Sequence, residues 1–356
     1  MRIRHRRTTR LRIGRALMAL AASAIALGVT MAPGHAAPAP GPDEVRVARD
    51  IAYAPAQPAD SQGHLLDLYI PRSQRPVPLV IFTGGSAWMA DNGRQGADQV
   101  AAQLNPHGFA VAGVSVRSSS QAEFPAQLHD IKGAIRWLRA HAQVYHLDPR
   151  RFAIMGDSSG GWTSAMAAVT GDLPRLEGDV GVRGPSSAVQ AAVPFYPPTD
   201  FSQMDAHMLD DCKVFNQLLG TTDCHSDARS PESRLLGCPI KDCPDKVAAA
   251  NPLTYVTDRP LPPTLIFHGE QDPLVPYHQG RLLRDALASA KANVRMISLP
   301  HAGHGPISSM LGDPDTRRDA YEEYARHGHT TPPVPVTPSW QTIVSFLTSE
   351  LRPAAR

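Results

Sequence analysis

Basic stripes and long apolar segments are scarce in this sequence. Only 19% of the 356 residues are charged, and the formal net charge is +2. Beyond the N-terminus, lysine and arginine do not gather on any one segment, so the sequence gives no indication of a nucleic-acid partner. The most apolar run, Ala16 to Met31, is shorter than the ~20 residues that a transmembrane helix needs. We therefore expect no stable membrane insertion of the mature chain.

The first 36 positions contain no acidic residue. They contain seven arginines, all before Ala16, followed by the apolar run and then by small residues around Gly34 and Ala36. This order of segments is typical of a secretory signal peptide. We predict that residues 1–36 are a signal peptide, cut near Ala36, and that the protein is exported to the periplasm or the cell exterior. A retained N-terminal anchor is the alternative. Without those arginines the rest of the chain is net acidic.

Cysteine is scarce as well: the chain has four, all within residues 212–243. No two of them have the C-x-x-C spacing that zinc sites favour, so we predict no metal site, and we expect no cofactor. In an exported chain, an even and clustered set of cysteines indicates two disulfides. The simplest pairing joins nearest neighbours, Cys212 with Cys224 and Cys238 with Cys243, although the sequence alone leaves the pairing open.

Hydrophobic residues make up 42% of the chain, which is enough for a large core. Apolar runs predict strands over residues 79–82, 109–116, 151–156, 188–196, 263–269 and 294–300. Spacing and composition predict helices over residues 126–142, 160–169, 280–290 and 338–351. This alternation indicates an α/β fold with a mostly parallel sheet and helices on both of its faces.

Two segments interrupt the alternation. Residues 37–50 begin with a stretch rich in proline, alanine and glycine and are predicted to be a linker, so that the folded domain covers residues 51–351. Residues 201–250 are polar, contain several prolines and hold all four cysteines. We interpret residues 201–250 as an insertion over one end of the sheet, in which disulfides stabilise a segment that lacks apolar residues to bury.

The segment Gly156-Asp157-Ser158-Ser159-Gly160 fits the G-x-S-x-G pattern and lies between a predicted strand and a predicted helix. Its glycines remove Cβ atoms where the strand and the helix crowd the turn, so the central serine can adopt a strained conformation with its oxygen exposed. A purely structural turn is the alternative. A serine hydroxyl is a poor nucleophile without a base and an orienting acid, so the later segments decide between the two interpretations.

In this architecture the acid and then the base follow the serine along the chain. Asp272 lies in a loop directly after the strand predicted over residues 263–269, which makes it the predicted acid. Capping of the following helix is the alternative role for Asp272. In that case Glu270, in the same loop, or Asp200, after an earlier strand, would be the acid.

His304 lies in the segment Leu-Pro-His-Ala-Gly-His-Gly, after the strand predicted over residues 294–300. Glycines on both sides allow the backbone to bring its ring over Ser158, so His304 is the predicted base. His301 comes sooner after that strand, and His268 precedes the acid loop on a strand, where packing in the core is its expected role. A turn alone would need neither an acid nor a histidine in this order, so Ser158 is the predicted nucleophile.

A hydrolase of this kind also needs N–H donors for the oxyanion that develops during the reaction. One predicted donor is the amide of Ser159, which follows the nucleophile. The others are expected in the loop from Phe82 to Met89, where Gly84 and Gly85 allow the backbone to turn its amides inward. We predict the amides of Gly85 and Ser86, and a plain glycine turn is the alternative.

The chain contains the segments GDSSGGW, EFPAQLHDIKGAIRWLRAHAQVYHLDPRRFAIMGDSSGG, ANPLTYV and HGEQDPLVP with the later PHAGHG. Together these resemble the bacterial esterase/lipase branch of the α/β-hydrolase superfamily, which includes feruloyl-esterase-like proteins and neighbours the hormone-sensitive-lipase-type esterases. The resemblance implies an α/β-hydrolase fold and a triad of Ser158, Asp272 and His304. The family's oxyanion loop usually reads His-Gly-Gly-Gly-Trp, whereas this chain has Thr-Gly-Gly-Ser-Ala-Trp at 83–88.

We therefore expect an exported serine carboxylic-ester hydrolase that acts through an acyl-enzyme. The expected partner is a small-molecule or carbohydrate-linked ester, with short-chain, carbohydrate-linked and aryl esters as the leading substrates. A serine peptidase of the prolyl-oligopeptidase type, which shares the triad, is one alternative. A non-catalytic binding protein with a hydrolase fold is the other, and the loss of a triad member would have favoured it.

Overall fold

A mixed sheet of eleven strands forms the centre of the fold. The computed structural model describes residues 45–257 and 259–352, so the predicted signal peptide and the first part of the predicted linker lie outside the described residues. The strands are β1 (Val45–Ala52), β2 (Leu65–Pro71), β3 (Val77–Thr83), β4 (Ala110–Val114), β5 (Leu147–Asp157), β6 (Ala191–Phe195), β7 (Thr264–Gly269), β8 (Val294–Leu299), β9 (Tyr321–Arg326), β10 (His329–Thr330) and β11 (Val334–Pro335).

The middle of the sheet is parallel. Strands β4, β3, β5, β6, β7 and β8 are neighbours in that order, and each adjacent pair runs in the same direction. The flanking strands pair in antiparallel fashion, β1 on β2 and β2 on β4 at one side and β9 on β8 at the other. The predicted mostly parallel sheet is confirmed. Its six parallel strands end at the same edge, which is where α/β folds place ligand sites.

Helices cover both faces of the sheet, as predicted. They are α1 (Ala97–Leu104), α2 (Ala126–Ala140), α3 (Ser159–Thr170), α4 (Lys213–Leu219), α5 (Pro231–Leu236), α6 (Pro244–Ala250), α7 (His278–Ser289), α8 (Ile307–Gly312) and α9 (Trp340–Glu350). Buried residues of α2, α3 and α7 belong to one apolar cluster. Buried residues of α1, α8 and α9 belong to a second cluster. The sheet therefore separates two cores.

The sequence explains how each core forms. Along β3, Leu79 and Ile81 belong to the first cluster and Val80 and Phe82 to the second, because successive side chains of a strand point to opposite faces. In α2 the predicted apolar positions Leu128, Ile131, Ile135 and Leu138 are all fully buried, since their spacing of three and four places them on one side of a helix.

The insertion over residues 201–250 is built from short helices and contains both disulfides, Cys212–Cys224 and Cys238–Cys243. This is the nearest-neighbour pairing. The expectation that the segment has no apolar residues to bury was wrong. Phe201, Leu235 and Leu236 are buried in the first core cluster, and Phe215 forms a small cluster of its own with the first disulfide. These apolar residues occur singly or in pairs among polar ones, so they form no periodic pattern from which their burial could be predicted.

The fold begins earlier than predicted and contains a strand near its end that was not predicted. Strand β1 occupies Val45–Ala52, so the predicted linker over 37–50 overlaps a strand, and the sheet starts before residue 51. Strand β1 was not predicted because its composition is polar. Most of its residues are exposed, as a flanking strand allows. Strand β9, Tyr321–Arg326, was missed because its sequence, YEEYAR, contains no apolar run. Among the residues that the structure describes, no helix combines the length and the apolar character needed to cross a bilayer.

Candidate active site

Ser158 lies in the tight turn that joins β5 to α3. Its backbone angles, φ 53° and ψ −122°, lie in a region that costs a residue with a side chain about 1–3 kcal/mol. Two hydrogen bonds fix the turn: the Ser158 N–H donates to the carbonyl of Phe195 at 3.0 Å, and the Trp162 N–H donates to the carbonyl of Ser158 at 2.9 Å. The strain is therefore held in place by the strand and the helix on either side.

The flanking glycines are required by close packing. A Cβ atom on Gly156 would collide with the carbonyl oxygens of Thr83 and Gly160, and one on Gly160 would overlap the Thr83 carbonyl. The end of β3 therefore presses directly against the turn. This is the crowding that the G-x-S-x-G pattern predicted, and it brings the loop after β3 next to Ser158.

Asp272 and His304 are joined by a hydrogen bond. The Asp272 carboxyl group is fully buried; its Oδ1 accepts the N–H groups of Leu274 and Val275, both at 2.9 Å. Its Oδ2 lies 2.8 Å from Nδ1 of His304. Two main-chain amides thus orient the carboxylate, and the carboxylate orients the ring. The remaining ring nitrogen, Nε2, is left for another partner.

Main-chain hydrogen bonds hold the acid and base loops together. The N–H of Glu270 donates to the carbonyl of Leu299 at 2.9 Å, and the N–H of Gln271 donates to the carbonyl of Ala302 at 3.0 Å. Gly269 allows this contact, since a Cβ there would collide with the Ala302 backbone. The two loops follow the neighbouring parallel strands β7 and β8, so their meeting is a direct consequence of the sheet order.

The reserve candidates for the acid have other partners. Asp200 caps a short 3₁₀ helix: its Oδ1 accepts the N–H of Ser202 at 3.1 Å and the Ser202 hydroxyl at 2.6 Å. Glu270 accepts the hydroxyl of Tyr321 at 2.7 Å. Neither carboxylate makes a hydrogen bond to His304 within the described part of the chain.

The other histidines also have separate roles. His301 is exposed, and its Nε2 lies 3.0 Å from Asp319. His268 is fully buried, with Nε2 3.0 Å from the carbonyl of Val275. Burial lowers the pKa of His268, with the nearby Asp272 opposing that shift, so its place in the core disfavours the charged form of the ring. The geometry therefore favours His304 over both.

Ser158 and His304 line one cavity of about 350 Å³, together with residues 85–88 of the loop after β3. Within the residues that the structure describes, no hydrogen bond joins Ser158 Oγ to the His304 ring. The insertion contributes one wall of the cavity, formed by Phe215, Leu219, Pro231 and Glu232. The sequence analysis did not single out these four residues, because nothing in a polar insertion indicates which side chains will face a site.

The predicted oxyanion donors are placed beside Ser158, but two of them already have acceptors. The N–H of Gly85 donates to Oδ1 of Asp157 at 3.2 Å, and the N–H of Ser86 donates to the Ser159 hydroxyl at 2.9 Å. The N–H of Ser159 stands at the start of α3, where amides have no partner within the helix. The role of these three amides therefore stays a prediction. Ala87, with a left-handed φ of 52°, also lines the cavity.

Asp157 and Tyr196 form a second polar contact at the site. Burial raises the pKa of Asp157, and the Gly85 amide and the nearby His304 oppose that shift. Burial raises the pKa of Tyr196 well above its ordinary value, with the charge of Asp157 adding to the effect. The Tyr196 hydroxyl donates to the carbonyl of Gly305 at 2.7 Å, and its ring centroid lies 4.7 Å from that of His304. The Tyr196 hydroxyl therefore anchors the loop that carries His304.

Asp205, Cys224 and His225 have ligand-type atoms within 4.8 Å of one another. The sulfur of Cys224 is committed to the disulfide with Cys212, and Asp205 accepts the N–H of His225 at 2.9 Å. A disulfide sulfur is not a thiolate ligand, and the carboxylate already has a structural partner. This cluster therefore does not fit a metal ion.

The BD-FAE family model matches residues 66–287. The chain is 30% identical over 271 residues to the esterase LipQ of Mycobacterium tuberculosis, covering 74% of this chain and 59% of that protein. It is 28% identical over 249 residues to the esterase LipC of the same organism, covering 69% and 58%. The chain thus spans about three fifths of the length of the curated relatives it matches.

Solved structures agree with these sequence matches. A truncated carbohydrate esterase from gut microbiota superposes with a TM-score of 0.69 at 28% identity, covering 88% of this chain and 98% of that chain. A bifunctional GH43-CE protein of Bacteroides eggerthii superposes with a TM-score of 0.68 at 31% identity, covering 86% and 38%. With the family model matching more than half of its residues, the chain belongs to the BD-FAE family, within the α/β-hydrolase esterases.

Proposed function

We propose that this protein is an exported serine carboxylic-ester hydrolase that acts through an acyl-enzyme on short-chain, carbohydrate-linked or aryl esters. The observation that carries the proposal is the 2.8 Å contact between Asp272 and His304, at the cavity that Ser158 also lines. Two kinds of similarity support the proposal. The relatives named above are esterases, and the structural neighbours include a carbohydrate esterase.

In the proposed reaction His304 acts as the base. Its Nε2 removes the proton from Ser158 Oγ as that oxygen attacks the ester carbonyl carbon, and Asp272 stabilises the imidazolium that forms. The imidazolium then donates its proton to the leaving alcohol as the C–O bond breaks, which leaves an acyl-enzyme on Ser158. Water, deprotonated by the same ring, attacks the acyl carbon and releases the acid with the serine restored.

Amide N–H groups are the proposed donors to the negative oxygen of each tetrahedral intermediate. The Ser159 amide is available at the start of α3, and the Gly85 and Ser86 amides are available once they leave Asp157 and the Ser159 hydroxyl. Each such donor contributes about 2.7–4 kcal/mol of transition-state stabilisation in hydrolases that use this device. The size of the cavity, about 350 Å³, lies at the small end of the range for ligand sites and favours short acyl or small aryl groups.

The first test is the Ser158→Ala variant, assayed on p-nitrophenyl acetate and on a panel of peptide substrates. We expect the wild type to hydrolyse the ester, and we expect the variant to lose turnover because no oxygen remains to attack. A fluorophosphonate should label the wild type at Ser158 and should leave the variant unlabelled. The exposed Ser202 provides a matched Ser202→Ala control that should keep its activity.

Two outcomes would favour the alternatives. Cleavage of peptides with no cleavage of esters would indicate a peptidase. Neither cleavage nor labelling of a folded wild-type protein would indicate a binding protein. The export part of the proposal rests on the N-terminal sequence alone, and N-terminal sequencing of the extracytoplasmic protein tests it. A mature chain that still begins at Met1 would contradict cleavage near Ala36.

A further inference from the structure

The wall that the insertion contributes to the cavity carries one charged side chain. Phe215 and Leu219 come from α4, and Pro231 and Glu232 come from α5. Three of these residues are apolar, so Glu232 is chemically out of place on this wall. The proposed reaction assigns it no part, since the proton transfers involve only His304 and the orienting carboxylate is Asp272.

Glu232 is buried and has no hydrogen bond among the described residues. Its exposed fraction is 3%. Its Oε2 lies 2.9 Å from Nδ1 of His225, but the two groups are not aligned, so neither atom makes a hydrogen bond within the described part of the chain. Burying a carboxylate without hydrogen bonds is costly. A carboxylate left in this state on a cavity wall is suited to a donor supplied by a ligand.

The side chain next to Glu232, that of His225, lies in a closely packed part of the insertion. The ring of His225 is fully buried and packs against Phe215 with a centroid distance of 3.9 Å. The backbone N–H of His225 donates to the Asp205 carboxylate at 2.9 Å, and the neighbouring Cys224 forms a disulfide with Cys212. The carboxylate therefore sits on a tethered support, which is what a recognition group requires if it is to discriminate between substrates.

We propose that Glu232 is a specificity-determining residue that accepts a hydrogen bond from a hydroxyl group of the ester substrate. The inference rests on the proposed function and deepens it, because it selects hydroxylated esters from the substrates considered above. A substrate hydroxyl supplies the donor that the carboxylate lacks. An ester without that hydroxyl leaves the buried carboxylate with no hydrogen bond and only the misaligned His225 ring beside it, and is disfavoured for this reason.

The experiment uses matched ester pairs that differ by hydroxyl groups. Glycerol monoacetate against propyl acetate tests hydroxyls on the alcohol, and p-nitrophenyl 3-hydroxybutyrate against p-nitrophenyl butyrate tests a hydroxyl on the acyl group. We expect wild-type kcat/KM to favour the hydroxylated member of at least one pair by about tenfold or more, the effect of one hydrogen bond to a charged group. Glu232→Leu should abolish that preference, measured as the ratio of kcat/KM within each pair, and Glu232→Gln, which keeps an acceptor oxygen, should retain part of it.

The control is Asp223→Asn, which neutralises an exposed acid on the same insertion and should leave both ratios unchanged. Thermal unfolding of each variant checks that it is folded. Three outcomes would overturn the proposal: no preference in either pair, an equal loss for both members of a pair in Glu232→Leu, or a selective loss only for acetylcholine against 3,3-dimethylbutyl acetate, which would indicate ammonium recognition. Wild-type inactivity on every ester would instead contradict the proposed function itself.

Discussion

The edge of the sheet that carries Ser158, Asp272 and His304, which we call the catalytic edge after its proposed role, and the insertion beside it are held together in different ways. Ser158, Asp272 and His304 follow parallel strands whose order and spacing are set by two large cores. Much of the insertion consists of short helices, and its outer part relies on a disulfide and a small cluster around Phe215. The comparison teaches that the sheet positions the reacting groups, whereas a tethered segment shapes the space that the substrate occupies.

Two buried carboxylates, Asp272 bonded to His304 and Glu232 on the cavity wall, show the same contrast. Asp272 accepts two main-chain N–H groups and contacts the His304 ring, so two of its three partners are part of the backbone. Glu232 has only the side chain of His225 next to it. The Asp272 carboxylate therefore has little freedom to move, which suits its proposed role as the orienting acid. The Glu232 carboxylate keeps an acceptor oxygen without a hydrogen bond, and a substrate hydroxyl is its proposed partner.

The largest expected effect is on the catalytic edge. In Asp272→Asn the amide oxygen can keep the N–H groups of Leu274 and Val275, which turns the NH₂ group toward His304. The ring must then accept at Nδ1 and carry its proton on Nε2, where a base is needed. We expect kcat/KM to fall by roughly 10⁴-fold, as in serine proteases with the same change, with an unchanged circular-dichroism spectrum. Asp200→Asn is the control, and a reversed order of effects would identify Asp200 as the acid.

A smaller effect is expected when the insertion is untethered. Replacing Cys212 and Cys224 by alanine should lower the free energy of unfolding by about 2–3 kcal/mol, because the crosslink restricts the unfolded chain. Phe215 and Leu219 lie inside the loop that this disulfide closes, so KM should rise more than kcat falls. Urea denaturation and steady-state kinetics measure the two effects.

The second disulfide offers a matched comparison. Cys238 and Cys243 close a shorter loop, and neither residue lines the cavity. Replacing this pair by alanine should cost less stability and should leave KM close to the wild-type value. If removal of the Cys212–Cys224 bond lowers kcat at constant KM, then the insertion takes part in positioning the catalytic groups and the contrast between the two regions fails.

Acid should weaken the catalytic edge through His268. Burial holds its pKa in the folded protein below the ordinary value of 6.5, so at low pH the unfolded chain binds a proton that the folded chain does not. The stability that the neutral ring contributes is present above about pH 6.5 and decreases as the pH falls below it. In His268→Gln, the free energy of unfolding should therefore decrease less as the pH falls. Unfolding measured at several pH values tests this. The exposed His107 supplies the control, since His107→Gln should leave the slope unchanged.

The smallest expected effect concerns acyl length. Leu219 lines the cavity, whereas its neighbour Leu218 is 64% exposed. Leu219→Ala should raise kcat/KM for hexanoyl relative to acetyl esters by roughly several-fold, because the shorter side chain leaves space in an apolar pocket, where one methylene group is worth about 1–3 kcal/mol at most. Leu218→Ala should not change the ratio. A wild type that already prefers long acyl chains would contradict the short-chain expectation.

The sequence was most informative where local chemistry and chain order coincide. The G-x-S-x-G turn, an acid after one strand and a histidine after the next lie at fixed places relative to a parallel sheet, so Asp272 and His304 could be paired from the order of motifs alone. The flanking strands β1 and β9 could not be found in this way. Both strands are rich in polar residues, and their pairing depends on neighbours that the local sequence does not identify.

The details of the site depended on contacts between side chains and backbone that no motif encodes. Gly85 and Ser86 line the same cavity as Ser158, and the present acceptors of their amides, Asp157 and the Ser159 hydroxyl, follow from how closely β3 packs on the turn. The wall residue Glu232 was missed because its burial results from the path of the whole insertion. A sequence pattern shows which groups exist, and only the folded chain shows which of them lack a partner.

The insertion lies between two strands that are direct neighbours. Phe195 near its start and Phe267 after its end are paired in register on β6 and β7. A connection with such close ends can change length at small expense, since doubling a flexible loop costs only about 0.6 kcal/mol in closure entropy. The whole insertion can therefore be replaced by a different loop while β6 and β7 stay in register. Diversification of such proteins toward new esters would then proceed by replacing whole loops, and a chimera carrying a relative's loop between β6 and β7 is the natural starting point for engineering.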